Sequence, residues 1–396
     1  MLFRSMLNRR QWLQAGVAGA AGWLASSQWR MRAHDPGMPA GSSPVLTPFV
    51  DPLPIPPASI PRRQGKTQCH TLVMRAGLTR LHRDLPLTTI WGFNGQYPGP
   101  TIRAVKGEPV VVRQIHRLPE ISGVSSSHGM PADMPAGLPA VHLHGGHVAP
   151  EDDGHPREGI VPGGFRDYHY PNAQRGTTLF YHDHSHGQTG RRVYHGLAGV
   201  YLIEDPAERV LNLPRGEFDI PLLVQDRLVN ADGSLNYPLD AASRENGMLG
   251  DLILVNGVVQ PYLQVRARKY RFRIINGSNA RIYVMQLSSG RPLVQIGTDG
   301  GLLPSPIEKA VLRLAPAERA DMIIDFAAEK PGSRVVLRNC ASCTGSTSSI
   351  MRFDVVGQAF DDSDLPDCLS GWENLPVNAR IEPRRDRKST RLNSSH

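Results

Sequence analysis

The sequence predicts an all-β protein built from two successive β-sandwiches, and three observations carry that expectation. Gly and Pro are abundant (39 and 34 residues) while aromatics make up only 6% of the chain, a balance that suits many turns and short strands. The apolar runs are short, alternate with polar residues at period two, and are bounded by turn formers. Beyond the N-terminal segment no sustained helical periodicity occurs. At 396 residues the chain is long enough for two or three domains, each with its own core.

Taken in order, residues 1–33 read as a targeting segment. Asn8-Arg9-Arg10-Gln11-Trp12-Leu13 resembles a twin-arginine export signal, and the apolar stretch Ala15 to Ala25 follows it. That stretch is too short to span a bilayer, so the expected location is periplasmic or secreted, with no transmembrane segment. Residues 34–64, rich in Pro, Gly and Ser, read as an extended leader lying on the surface. The first sandwich is expected over residues 65–206, with strands at Thr71-Leu-Val-Met-Arg, Thr88-Thr-Ile-Trp, Pro109-Val-Val-Val-Arg, Thr178-Leu-Phe-Tyr-His and Gly199-Val-Tyr-Leu-Ile. The second is expected over 215–358. There Tyr270-Arg-Phe-Arg-Ile alternates apolar and basic residues, which puts Tyr270, Phe272 and Ile274 on one sheet face. Ala320-Asp-Met-Ile-Ile-Asp-Phe and Arg334-Val-Val-Leu-Arg supply further strands. Residues 359–385 turn polar and read as a linker towards a further domain, and 386–396 read as the translation of a sequencing adapter.

Charge and cysteine usage exclude some functions. The formal charge is +8, but five arginines and no acid fall in residues 1–33, and the last eleven residues are also basic. Setting both ends aside leaves the body close to neutral, so no nucleic-acid groove is indicated. Cys69, Cys340, Cys343 and Cys368 could form disulfides in an exported protein. Cys340-Ala-Ser-Cys343 alone is a weak metal or redox signal, and a structural pair or free thiols are the plainer readings.

The histidines carry the chemistry. Nine of the 15 fall between His142 and His195, in two clusters: His142-Leu-His144-Gly-Gly-His147 and His182-Asp-His184-Ser-His186. Residues i and i+2 of a strand share a face at roughly 7 Å. An HxH pair on an edge strand therefore points two imidazoles the same way, towards one ion or two neighbouring ions. Imidazole suits Cu and Zn. One such pair is as readily an ordinary surface or core pair; two in one domain are harder to set aside.

At this point the motifs become specific. Val141-His-Leu-His-Gly-Gly and Leu179-Phe-Tyr-His-Asp-His resemble the first two copper-binding motifs of the multicopper oxidases. Gln96-Tyr-Pro-Gly-Pro-Thr-Ile-Arg-Ala resembles the entry to their first domain. Asn256-Gly, the stretch from Tyr270 to Arg281, Ile296-Gly-Thr-Asp-Gly-Gly-Leu-Leu and Leu314-Ala-Pro-Ala-Glu-Arg-Ala-Asp are similar to their middle domain. Pro221-Leu-Leu-Val-Gln-Asp-Arg followed by Asn230-Ala-Asp-Gly-Ser-Leu looks most like the laccase type, in the bacterial spore-coat laccase and bilirubin oxidase branch.

The resemblance implies tandem cupredoxin-like Greek-key sandwiches, with copper as cofactor. It makes His142 a ligand of a type 2 copper, and His144, His182 and His184 ligands of a type 3 pair. His147 and His186 lie outside the matched pattern. The implied activity couples one-electron oxidation of phenol-like small-molecule donors to four-electron reduction of O2 to water. Asp153, in the acidic stretch Glu151-Asp152-Asp153, falls where relatives carry an acid near a water channel, which implies a proton relay; a solvated turn is the plainer reading. The family's other two motifs, HxxHxH and HCHxxxH with a nearby Met, which supply the type 1 copper and the remaining trinuclear ligands, do not occur in the sequence. The chain is therefore expected to be a fragment carrying half of the trinuclear shell and inert as an oxidase. Three other readings fit the sequence less well. A copper-free structural or division-associated relative would not need all four histidines. A two-domain copper nitrite reductase needs a cysteine ligand in domain one, where only Cys69 occurs. A cuprous-ion oxidase would carry a Met-rich insert, which the 11 methionines do not form.

Overall fold

The computed structural model describes residues 42–119, 137–238, 240–342 and 344–370. Residues 1–33, expected to be a targeting segment, residues 371–385, the adapter-like tail and Cys343 lie outside the described residues.

Two β-sandwiches follow one another along the chain. In the first, β1 (Arg62–Gln64), β2 (Thr67–Thr79), β3 (Thr88–Phe93), β5 (Val110–Arg117) and β7 (Phe165–Tyr170) form one sheet, in the order β1-β2-β5-β7 with β3 also paired to β2. The facing sheet holds β4 (Gly99–Val105), β6 (Val141–His144), β8 (Thr177–Asp183) and β9 (Ala198–Glu204), ordered β4-β9-β8-β6. Alternating residues of both sheets meet in one core, among them Leu72, Phe93, Val112, Leu143, Tyr181 and Tyr201.

The second sandwich repeats the scheme. Its larger sheet comprises β10 (Asp219–Val229), β11 (Leu235–Asn236), β12 (Leu252–Val255), β13 (Val258–Val259), β15 (Lys269–Asn276), β17 (Leu293–Thr298), β18 (Gly301–Lys309) and β20 (Arg319–Asp325). Its partner comprises β14 (Tyr262–Ala267), β16 (Tyr283–Leu287), β19 (Leu312–Leu314), β21 (Arg334–Asn339) and β22 (Ser349–Gln358). Each sandwich contains two parallel pairings within otherwise antiparallel sheets: β2 with β5 and β4 with β9 in the first, β10 with β15 and β14 with β22 in the second. Tyr270, Phe272 and Ile274 share the buried face, as their spacing predicts.

Two short helices depart from the expectation of no helix: α1 (Thr189–His195) and α2 (Ala241–Asn246). Both are too short for an amphipathic period to register in sequence. The leader from residue 42 is extended and bonded to both sandwiches: Leu53 N donates to Tyr262 O and Ser59 N to Thr101 O. Residues 359–370 carry no strand and lie against the second sandwich, with Leu369 buried beside Leu302 and Ile323. No helix among the described residues is long and apolar enough to cross a membrane.

The outer face of the β4-β9-β8-β6 sheet is where the sandwiches meet. Phe180, Val200 and Leu202 on that face pack against Leu223, Ile275 and Ala317 of the second sandwich. Phe180 alternates along β8 with Tyr181, which points into the first core, so the same outer face carries His182.

Candidate metal centre

β6 is an edge strand among the described residues, paired antiparallel to β8 with Val141 opposite Asp183, His142 opposite His182 and His144 opposite Phe180. Paired residues share a face, so this register alone brings His142, His144 and His182 together. His184 lies just beyond the end of β8. Its ring centroid is 5.0 Å from that of His142 and 6.0 Å from that of His182. The ligand nitrogens of His142, His144 and His182 fall within 4.8 Å of one another. The four sequence-selected histidines thus form one cluster, while His147 is exposed and His186 half-buried outside it.

Two of the rings are oriented from behind. His142 Nδ1–H donates to the Asp153 carbonyl at 2.7 Å, and the Asp153 carboxylate lies 3.2 Å from the same nitrogen. His182 Nδ1–H donates to the Asp183 carbonyl at 2.7 Å. These acceptors fix the tautomer, so that Nε2 of both rings carries the lone pair a metal needs. His144 Nδ1 sits 3.3 Å from His182 Nε2. Phe180 stacks on both rings, with centroids 5.0 Å from His144 and 4.8 Å from His182, which restricts their rotation.

Burial pushes the His182 pKa well below the usual imidazole range, and the neighbouring His144, His142 and His184 add to the effect. The ring is therefore neutral near pH 7, the form that ligates. The donor chemistry fits copper: four imidazoles, buried or half-buried, three of them with converging nitrogens and two with carbonyl acceptors behind them.

Three features of the surroundings were not singled out from sequence. The first is Arg319 of β20, whose Nε donates to Thr178 O at 3.0 Å. Its guanidinium crowds Gly145, directly after β6, where a Cβ would lie 2.5 Å from Nη2. Gly145 also has φ +83°, so two requirements select glycine there. The second is the division of the acidic stretch. Asp152 is buried and accepts from the His169 backbone N–H at 2.9 Å, whereas Asp153 turns towards His142. The third is Asp183, fully buried on the face opposite His182; strand alternation in His-Asp-His was the available signal. Cys69 and Cys368 are free thiols far from this chemistry in sequence.

Comparison with known proteins agrees with this geometry. The multicopper oxidase family model matches residues 79–139 and 133–208. A laccase of Bacillus subtilis is 42% identical over 84% of this chain and 70% of its own length. The bilirubin oxidase of Albifimbria verrucaria is 32% identical over 86% of this chain and 59% of its own. Among solved structures, a multi-copper oxidase from Pediococcus acidilactici superposes with a TM-score of 0.74 at 30% identity, covering 88% of this chain and 68% of that one. The chain thus spans about three-fifths to seven-tenths of the length of these relatives. With the tandem sandwiches, the converging histidines and these similarities in agreement, the chain belongs to the multicopper oxidase family.

Proposed function

We propose that His142 binds a type 2 copper, that His144, His182 and His184 bind a type 3 pair, and that the whole protein is a laccase-like oxidase. Its donors are phenol-like small molecules giving up one electron at a time, and its acceptor is O2, reduced to water. The observation that carries this reading is the convergence of His142, His144 and His182 across one strand pair, with ligand nitrogens within 4.8 Å. Copper ions, when bound, supply the redox chemistry that side chains cannot.

The chain's own residues hold and orient. Asp153 and the Asp183 carbonyl fix the tautomers of His142 and His182. Phe180 and the second sandwich limit access of water to the inner side of the rings. The Asp153 side chain is about one-third exposed, so it touches both solvent and the His142 N–H. That position suits a group that passes protons inward, since reduction of O2 to water consumes them.

The test is to load the purified chain with Cu(II) and to measure bound copper by mass spectrometry and its nitrogen coordination by X-ray absorption at the copper edge. Histidine-coordinated copper is expected, and His142→Ala or His182→Ala should remove most of it. Copper content unchanged by these substitutions, or no bound copper, would overturn the assignment and favour a structural protein of the same fold.

A further inference from the structure

We propose that Asp183, between His182 and His184, is the positioning residue that places His184 in the centre, by holding the turn that leaves β8 and tying it to α1. The inference rests on the copper-ligand reading given above.

β8 ends at Asp183, so a single backbone bond, to Ala140, is all that strand-type pairing gives His184. Strand alternation turns the Asp183 side chain away from the histidine face into the first sandwich, where it is fully buried. There Oδ2 accepts from the Ser185 backbone N–H at 3.1 Å and from the Ser185 hydroxyl. An aspartate accepting from the N–H two residues on is an Asx turn, a side chain standing in for a backbone group. The residue spanned by that turn is His184. Its own N–H donates to Ala140 O at 2.7 Å, next to β6. The turn therefore fixes His184 between two points.

The far side of the turn is fixed as well. Ser185 O accepts from the backbone N–H of Gln188 and Thr189 and from the Thr189 hydroxyl, starting α1. One turn into the helix, the buried Arg192 brings Nη1 to 3.5 Å from Asp183 Oδ1. A fully buried carboxylate is costly unless paired. Here the pairing closes a loop from the end of β8 through the turn and back, with His184 at its apex.

Cu(II) titration of the full chain, read by X-ray absorption at the copper edge and alongside thermal unfolding, tests the proposal. Asp183→Ala should weaken Cu(II) binding by roughly tenfold or more and reduce the number of coordinated nitrogens, at temperatures where circular dichroism shows a folded protein. Asp183→Asn keeps an acceptor for the Ser185 N–H. It should restore the spectrum and stay within about threefold of the parent affinity, while its Tm falls because Arg192 is left unpaired. Ser185→Ala, which removes only one donor to the carboxylate, should give an intermediate loss of affinity and keeps the test open if the alanine at 183 does not fold.

A folded Asp183→Ala or Ser185→Ala protein with parent affinity and spectrum would overturn the proposal. So would an asparagine variant as impaired as the alanine. His184→Ala is the control for the underlying reading. If that change leaves the copper signal intact, His184 is not a ligand; if it alters the signal while Asp183→Ala does not, the positioning role alone fails.

Discussion

The imidazole of His142 is oriented twice by one residue, through the Asp153 carbonyl at 2.7 Å and the Asp153 carboxylate at 3.2 Å. The carbonyl is fixed by backbone geometry at the end of a 3-10 turn, Pro150–Asp152; the carboxylate adds a second acceptor, on a side chain, to the same ring nitrogen. Asp153→Asn keeps the first and removes the second. Partners behind a metal-bound histidine typically change affinity by 10–100-fold. The substitution is therefore expected to lower Cu(II) affinity by about tenfold at constant fold, as measured by competitive titration. An unchanged affinity would mean that the carboxylate takes no part in orienting His142. The family resemblance picked this residue out of three consecutive acids, but the residue pattern alone could not separate it from Asp152. The difference lies in which way a short turn faces, and no periodicity encodes that.

The two copper-motif strands illustrate how far alternation reaches. His142-Leu-His144 and His182-Asp-His184 were legible as paired imidazoles because strand period two is local. The register that sets His142 opposite His182 was not, since it joins strands distant in sequence. The same limit applies to β15. Its apolar face was read correctly from Tyr270, Phe272 and Ile274, but the burial of Arg271 and Arg273 on the other face was not. Alternation states which residues share a face, not what covers it. A packing constraint of this kind holds β8 against β9. Tyr181 lies over Gly199, where an added Cβ would fall 2.3 Å from the phenol, and its hydroxyl donates to Pro100 O at 2.6 Å. Gly199→Ala is expected to destabilise the protein by about 1–3 kcal/mol through overpacking. In a Tyr181→Leu background the same alanine should cost much less. Urea unfolding of the four proteins measures this, and equal costs in both backgrounds would place the strain elsewhere.

Across the whole molecule, the two sandwiches are joined by buried charge as well as apolar packing. Arg273 of β15 grips Asp219 through Nε at 2.7 Å and Nη2 at 3.0 Å, and its Nη1 reaches Thr178 of β8 at 3.3 Å. Arg103 of β4, 3.9 Å from Asp219, also pairs with Glu204 of β9 at 2.6 Å. Burial alone would raise the Asp219 pKa, but Arg273, Arg271 and Arg103 outweigh it and hold the carboxyl below its ordinary value. A carboxyl depressed on folding stabilises above its unfolded pKa of about 4. That contribution is lost as pH falls through the folded value. Removing one partner of such a pair leaves an uncompensated buried charge, at a cost of about 3–5 kcal/mol. Arg273→Met should therefore be strongly destabilising at pH 7 and less so in acid, where Asp219 is protonated. Adding Asp219→Leu should recover much of the loss. Denaturant unfolding at both pH values checks this, and a penalty independent of pH would mean that Asp219 is not the group left unpaired.

β6 is only four residues long and stands at the edge of its sheet among the described residues. Edge segments of this size are where a fold opens with least free energy, through local fraying and not global unfolding. His144 on that edge and His182 on the interior strand are 38 residues apart in sequence. A metal ion gripped by both acts as a removable cross-link that closes the intervening loop. The work of prising the edge away then includes the work of releasing the ion. Metal affinity and the local opening equilibrium of this strand become one thermodynamic quantity seen from two sides, the first in a binding titration and the second in the exchange of the β6 amides with solvent.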